Sequence, residues 1–172
     1  MKIVYTAAQI NFKHEERKND YISGYNCIKN IIDENSIYVV ESYLKDFGIF
    51  KDFAKNVFIS NTHNQSIRNK GVLEIMCLKK FLNQANFNEE ELICKLTGRY
   101  SFIDNYFFKE IEKNKDFDFY GKLVDNEKQV FTGCFCMKNK FLIKFLNEVD
   151  LFRMETEFIN MELEVLNFVK KN

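Results

Sequence analysis

The feature that most restricts the fold of this chain is its alternation between short apolar segments and longer segments with helical periodicity. Residues 2–8, 37–41, 56–60 and 92–96 are short runs rich in Val, Ile and Leu, as is typical of buried strands. The segments between them repeat apolar residues every three or four positions. Strands that alternate with helices pair in parallel, because each helix carries the chain back to the start of the next strand. The sequence therefore predicts an α/β fold with a Rossmann-like, mixed and mainly parallel sheet flanked by helices.

The remaining elements complete this pattern. The predicted helices cover residues 17–33, 43–54, 66–83, 102–113, 140–149 and 155–170. Two more β segments, residues 118–124 and 129–137, flank a polar turn and predict an antiparallel pair. The chain has 172 residues and no low-complexity linker, so a single domain over residues 1–172 is expected.

Charge and composition limit the classes of partner. The 25 Lys and Arg residues balance the 25 Asp and Glu residues, so no net field attracts nucleic acid or anionic lipid. The N-terminal segment lacks the features of a signal peptide, and no run approaches the ~18 apolar residues of a spanning helix. We expect a cytoplasmic protein that binds no nucleic acid and has no transmembrane segment, with peripheral membrane contact left open. The five cysteines, an odd number, are expected to be reduced.

The carboxyl ends of the predicted parallel strands are the expected place for a ligand. The residues that the sequence places there are Thr6, Ala7, Ala8, Glu41, Ser60, Asn61, Thr97, Gly98, Arg99 and Tyr100. Arg17, Arg68 and Lys70 begin the helices that follow the first and third strands, where helical N–H groups also favour anions. Small, hydroxylic and cationic groups are thus expected to converge at one edge of the sheet.

Arg99 is the most informative residue of this set. Its guanidinium can bind a phosphate through two parallel hydrogen bonds, and the adjacent Gly98 lets the backbone approach a ligand. Together with the other cations it favours a nucleoside diphosphate as ligand. The alternative is that Arg99 forms a salt bridge with one of the 25 acidic residues.

The order of these segments resembles a family of bacterial and viral sugar transferases with the GT-A type nucleotide-sugar fold. The resemblance extends over about residues 2–165 and is carried by ERKNDYISGYNCI, IYVVES, RNKGVLE, KLTGRY and FTGCF. It implies a glycosyltransferase, of the hexosyltransferase kind, that moves a sugar from a nucleotide-sugar donor to a glycan or lipid-linked acceptor. The pathway that it implies is surface polysaccharide or lipooligosaccharide synthesis.

The resemblance also implies roles for individual residues. The positions that it assigns to the donor nucleotide are Thr6, Ala7, Ala8, Arg17, Glu41, Asn69, Lys70, Thr97, Gly98 and Tyr100. Within this set, Glu41 is an acidic contact to the ribose or base. Glu74, one turn beyond Lys70, helps to orient the donor.

The chain departs from the family at its metal site. The Asp-x-Asp motif that usually holds a divalent metal after the fourth strand is replaced by Thr97-Gly98-Arg99. Mg²⁺ and Mn²⁺ need anionic oxygen ligands and would be repelled by Arg99 and Lys95. We therefore expect that no metal is required and that Arg99 stabilises the leaving diphosphate. Asp104 keeps a variant that depends on Mn²⁺ or Mg²⁺ open.

An inverting transfer also needs a general base for the acceptor hydroxyl. By analogy with inverting members of this fold, the candidates are Glu155 and Glu157, with Glu162 as a third. Acidic residues also favour helix N-termini for electrostatic reasons alone, so a solvated helix face is the alternative.

Two other functions stay open at this point. One is a non-catalytic nucleotide-sugar-binding or interaction protein, a degenerate glycosyltransferase relative that keeps the fold without the metal motif. The other is a sugar nucleotidyltransferase, which the missing paired carboxylates and the missing glycine-rich loop disfavour.

Overall fold

The computed structural model describes residues 1–8, 14–44, 48–64, 66–114 and 116–172. Within these residues six strands form one sheet in the order β3-β2-β1-β4-β6-β5. The strands are β1 (Lys2–Ala7), β2 (Ile37–Glu41), β3 (Asn56–Ile59), β4 (Leu92–Thr97), β5 (Phe119–Val124) and β6 (Gln129–Lys138). The first four pair in parallel, whereas β6 runs antiparallel to both β4 and β5. The predicted mixed, mainly parallel α/β sheet and the antiparallel pair are both confirmed.

The helices differ from the sequence prediction mainly at their ends. They are α1 (His14–Lys29), α2 (Lys70–Ala85), α3 (Tyr106–Lys113), α4 (Asn139–Glu148), α5 (Leu151–Thr156) and α6 (Met161–Lys171), with two 3-10 turns at Glu34–Ser36 and Gly48–Asp52. Helix α2 starts four residues later than predicted because Asn69 caps it, accepting a hydrogen bond from the Gly71 N–H. None of the helices in the described ranges has the length and apolarity needed to cross a membrane.

Two of the predicted helices differ from the structure by more than the position of their ends. The helix expected over residues 43–54 is a 3-10 turn at Gly48–Asp52, and residues 45–47 lie outside the described residues. The helix expected over residues 155–170 is interrupted, because Phe158 adopts a positive φ of 53° and ends the preceding turn. Asn160 then caps α6 by accepting a hydrogen bond from the Leu163 N–H.

The sheet separates two apolar cores. On one face, Ile3 and Tyr5 of β1 pack with α1, the second 3-10 turn and α3. On the other, Val4 of β1 packs with α2, α4, α5 and α6. Successive side chains of a strand point to opposite faces, so a three-layer arrangement follows from central strands that carry apolar residues on both faces.

The chain path reverses direction between β3 and β4. Helix α2 crosses the sheet on the face opposite α1 and delivers β4 to the far side of β1, as right-handed crossover connections require. In open α/β sheets such a reversal creates a crevice beyond the carboxyl ends of the two central strands. Thr6 of β1 lies in register with Thr97 of β4 at that point.

The buried face of helix α2 packs on the sheet and so positions one wall of this crevice. We therefore expect substitutions on this face to lower the free energy of unfolding. Leu78 is fully buried in the core beneath the sheet. Replacing it with Ala removes apolar contacts and leaves a cavity, so we expect Leu78→Ala to lower the free energy of unfolding by about 2–5 kcal/mol in urea titrations. The control is Leu163→Ala on α6, which is 38% exposed and should change stability by less than about 0.5 kcal/mol. Equal effects of the two variants would contradict this packing.

Candidate functional site

A cleft with a volume of about 330 Å³ opens at the carboxyl ends of β1 to β4. Of the residues predicted for the site, those that line it are Thr6, Ala7, Ala8, Arg17, Arg68, Lys70, Glu74, Thr97 and Arg99. The other lining residues are Tyr21, Val40, Ser42, Tyr43, His63, Ile67, Leu73 and Cys77. Its size is at the lower end of the range of small-molecule sites.

The described wall of the cleft carries a strong excess of positive charge. Four cationic side chains, Arg17, Arg68, Lys70 and Arg99, line it with a single carboxylate, Glu74. Within the described part of the chain, none of the four cations lies within 4 Å of a carboxylate. The alternative for Arg99, a salt bridge to an acidic residue, is therefore not found among the described residues. The arrangement suits an anionic ligand, whose phosphates would supply the missing counter-charges.

The single carboxylate of the cleft is held by a buried lysine. Lys95 of β4 is 0% exposed, and its ammonium lies 2.7 Å from Glu74 Oε1. It also donates hydrogen bonds to the Thr97 hydroxyl at 2.8 Å and to the Thr132 carbonyl at 2.6 Å, so all three of its N–H bonds have acceptors. The Thr6 hydroxyl donates to the same Glu74 oxygen at 2.7 Å.

The sequence carries a signal for the pairing of Lys95 with Glu74. Lys95 interrupts the apolar strand LICKL at a position whose neighbours two residues away, Ile93 and Thr97, share its face. The expectation was that Lys95 would repel a metal at the rim. Instead it lies beneath the cleft, where it binds a carboxylate from α2.

Two aromatic side chains at the ends of β2 and β3 also belong to the cleft. Tyr43 and His63 have ring centroids 4.1 Å apart and planes inclined by 46°. The sequence predicted Tyr43 at the start of a helix, and no motif connects it to a residue 20 positions away. Aromatic rings that line a polar cleft offer a surface on which a nucleobase can stack.

Two further lining residues are fixed in non-reactive states. The Tyr21 hydroxyl donates to the Ala8 carbonyl and accepts from the Ala8 N–H, each at 3.0 Å, which fixes the backbone where β1 ends. Burial raises the pKa of Tyr21 above its usual value. Burial likewise raises the pKa of the Cys77 thiol to about 12, so this thiol stays protonated at neutral pH and is a poor nucleophile.

Glu155, a predicted general base, binds the backbone instead of facing the cleft. Its Oε1 accepts a hydrogen bond from the Arg68 N–H at 2.8 Å, and its Oε2 accepts one from the Asn69 N–H at 3.0 Å. The Asn69 side-chain amide donates to the carbonyls of Met154 and Ile159, both at 2.8 Å. These bonds fasten the segment that carries Arg68 to α5. A catalytic role for Glu155 stays a prediction, and accepting a proton would cost this carboxylate one of its two hydrogen bonds.

The other two acidic candidates also lie off the cleft wall. Glu157 is exposed at the end of α5, where its backbone N–H donates to the Arg153 carbonyl. Glu162 of α6 accepts a hydrogen bond from the Thr132 hydroxyl at 2.6 Å. Because the Thr132 carbonyl accepts from Lys95, Glu162 connects to the network beneath the cleft but does not line it.

Five of the residues predicted at the edge of the sheet do not line the cleft: Glu41, Ser60, Asn61, Gly98 and Tyr100. Glu41 is 0% exposed, and its Oε1 accepts hydrogen bonds from the N–H groups of Tyr43 and Leu44 at 2.6 and 3.2 Å. Tyr100 is half exposed and packs edge-on against Phe131, with ring centroids 5.4 Å apart. Gly98 lies beneath α1, where an added Cβ would come within 2.6 Å of the Tyr5 ring, so this glycine is required by close packing.

The end of β4 does not fit a divalent metal. Thr97 and Arg99 bring a hydroxyl and a guanidinium to this end, and Asp104 is an exposed residue whose carboxylate accepts a hydrogen bond from the Tyr106 N–H at 2.9 Å. Across the described ranges, no three His, Cys, Asp or Glu side chains are arranged to hold a metal ion.

Comparison with known proteins shows a similarity at the level of the fold. No protein-family model and no curated protein sequence matches this chain. Among solved structures, the chain is similar to the galactosyltransferase LgtC, crystallised in complex with donor and acceptor sugar analogues, with a TM-score of 0.50 and 9% identity. The similarity covers 98% of this chain and 70% of that one. At this identity it shows the fold alone, an α/β fold of the kind found in a GT-A glycosyltransferase.

The contacts of Glu155 generate a prediction. Glu155→Ala leaves two backbone N–H groups without their acceptors, so we expect it to lower the free energy of unfolding by about 1–3 kcal/mol. The matched control is Glu157→Ala, two residues away and exposed, which should change stability by less than about 0.5 kcal/mol. Urea unfolding of both variants measures the difference. If the two variants lose the same stability, Glu155 does not fasten α5 to the start of α2 in solution.

Proposed function

We propose that this protein is a glycosyltransferase with a GT-A-like fold that binds a nucleoside-diphosphate sugar in the cleft between α1 and α2. The observation that carries the proposal is the concentration of Arg17, Arg68, Lys70 and Arg99 in one cleft of a chain whose formal net charge is zero. The cleft lies at the reversal of strand order, where α/β proteins bind nucleotides. The fold similarity to a galactosyltransferase supports the same class.

The proposed binding mode assigns one part of the ligand to each part of the cleft. The nucleobase stacks on Tyr43 and His63 at the ends of β2 and β3. The diphosphate lies among the four cations that line the cleft, whose charges it balances. Arg17 lies 3.4 Å from the Ala8 carbonyl through its Nη1, which orients its guanidinium across the end of β1.

The proposed chemistry is metal-independent transfer. As the bond between the sugar and the diphosphate breaks, negative charge accumulates on the departing phosphate oxygens. Positively charged side chains that line the cleft stabilise that charge as it develops. We assign this role to Arg99, which follows β4, and to Lys70, in the first turn of α2.

The proposal extends to the acceptor and the cellular setting. A glycan or lipid-linked acceptor, a role in surface polysaccharide or lipooligosaccharide synthesis, and a cytoplasmic location are supported by the sequence resemblance alone. The competing proposal is a protein that binds a nucleotide sugar without transferring it. It is favoured by one observation, that Glu155, Glu157 and Glu162 do not line the cleft. Release of free nucleotide from a nucleotide sugar by the purified protein would support transferase chemistry, whereas binding without turnover would support the alternative.

Nucleotide binding is tested by thermal denaturation of the purified protein with UDP, GDP and CMP and their sugar conjugates, with and without Mn²⁺. We expect one nucleotide to raise the melting temperature in the absence of metal, since a ligand at 100 times its Kd adds about 2.7 kcal/mol of stability. Arg99→Ala should weaken that nucleotide's binding by about tenfold or more, because a charge-assisted phosphate contact is lost. Lys122→Ala, which removes an exposed cation of β5, should have no effect. The proposal fails if no nucleotide shifts the wild type, or if the two variants behave alike.

A further inference from the structure

Glu74, the one carboxylate on the described wall of the cleft, is held by a buried lysine and a threonine hydroxyl. Glu74 Oε1 receives both the Lys95 ammonium and the Thr6 hydroxyl, each at 2.7 Å. Glu74 Oε2 has no hydrogen-bond partner among the described residues, and 27% of the side chain is exposed. One oxygen is therefore fixed from below, and the other is available to a ligand in the cleft.

Stability alone does not account for the buried lysine beneath Glu74. An ammonium group with no solvent exposure loses several kcal/mol of hydration, and an apolar side chain on this face would pack with less cost. The loss is offset only because Lys95 finds three acceptors, the Glu74 carboxylate and the oxygens of Thr97 and Thr132. As a result, the Glu74 carboxylate has a fixed position and orientation at the bottom of a cleft that otherwise attracts anions.

The position of Glu74 relative to the cations indicates which chemical groups of a ligand suit its carboxylate. Glu74 lies one helical turn beyond Lys70 on α2, on the same side of the helix, and reaches Thr6 of β1. A carboxylate oxygen accepts hydrogen bonds from hydroxyl groups and repels phosphate and carboxylate groups. The nearby Lys95 ammonium disfavours a divalent cation at the same place. The cleft thus combines an anion-binding rim with one acceptor suited to a neutral, hydroxyl-bearing group.

We propose that Glu74, positioned by Lys95 and Thr6, binds the hydroxyl groups of the transferred sugar and selects donors whose sugar is uncharged. This inference rests on the proposed function and deepens it by naming the substrate class, a nucleoside-diphosphate hexose. Hexuronic acid donors are disfavoured because their sugar carboxylate would lie close to Glu74. Nucleoside triphosphates are disfavoured for the same reason, since a third phosphate takes the place of the sugar.

The test is isothermal titration of wild type and Glu74→Gln with UDP, UDP-glucose and UDP-glucuronic acid, the last two differing only at C6 of the sugar. If GDP is the nucleotide that stabilises the protein, GDP-mannose and GDP-mannuronic acid replace them. We expect the wild type to bind the hexose donor about tenfold more tightly than the uronic acid donor, a difference typical of one contact to a charged group. Glu74→Gln should lose most of that discrimination and leave the affinity for UDP within about twofold, since UDP carries no sugar for Glu74 to contact.

The outcomes separate this inference from the proposed function. If the wild type binds none of the nucleotides, the proposed function fails and this inference fails with it. If the nucleotide binds but the wild type does not discriminate, or if Glu74→Gln discriminates as the wild type does, only this inference is overturned. Should Glu74→Gln not fold, the double variant Lys95→Met/Glu74→Gln removes both charges of the pair together. The same loss of discrimination is then expected from the double variant.

Discussion

The parallel pairing of β1 with β4 holds the two halves of the sheet together and determines where the cleft forms. Lys2 to Thr6 pair in register with Ile93 to Thr97, so the carboxyl ends of both strands lie side by side. Because β4 arrives from β3 by way of α2, on the face opposite α1, the two helices diverge above this pair. The space between them is the cleft, and side chains that end one strand or begin one helix become neighbours there.

A second constraint comes from the C-terminal part of the chain. Glu155 and the carbonyls of Met154 and Ile159 bind the backbone and side chain of residues 68 and 69. Hydrogen bonds that involve a carboxylate are stronger than those between neutral groups. These hydrogen bonds hold Arg68 and Lys70 at the mouth of the cleft. They join segments that lie more than 80 positions apart in the sequence. The final helices thereby contribute to the site even where they provide no lining side chain.

The distribution of charge matters more than its sum in this protein. A chain with 25 basic and 25 acidic residues has no long-range field to attract anions, yet four cations meet in a single cleft. Salt screens exposed charges beyond about 10 Å at moderate ionic strength, so this attraction acts on a ligand that has already entered. The Glu74–Lys95 pair places one carboxylate on the wall of the same cleft.

Local patterns in the sequence determined the class of fold and the edge at which the cleft lies. The two-residue period of strands, the 3.6-residue period of helices and their alternation are properties of neighbouring residues, so β1 to β6 were predictable, as was the gathering of Thr6, Arg17 and Arg99 at one edge. Where side chains point across that edge depends on partners far away in the chain. The burial of Glu41, the use of both Glu155 oxygens by the backbone, the contact of Tyr43 with His63 and the pairing of Lys95 with Glu74 were decided by tertiary structure. Each depends on a hydrogen bond or packing contact whose geometry exists only once the elements have assembled.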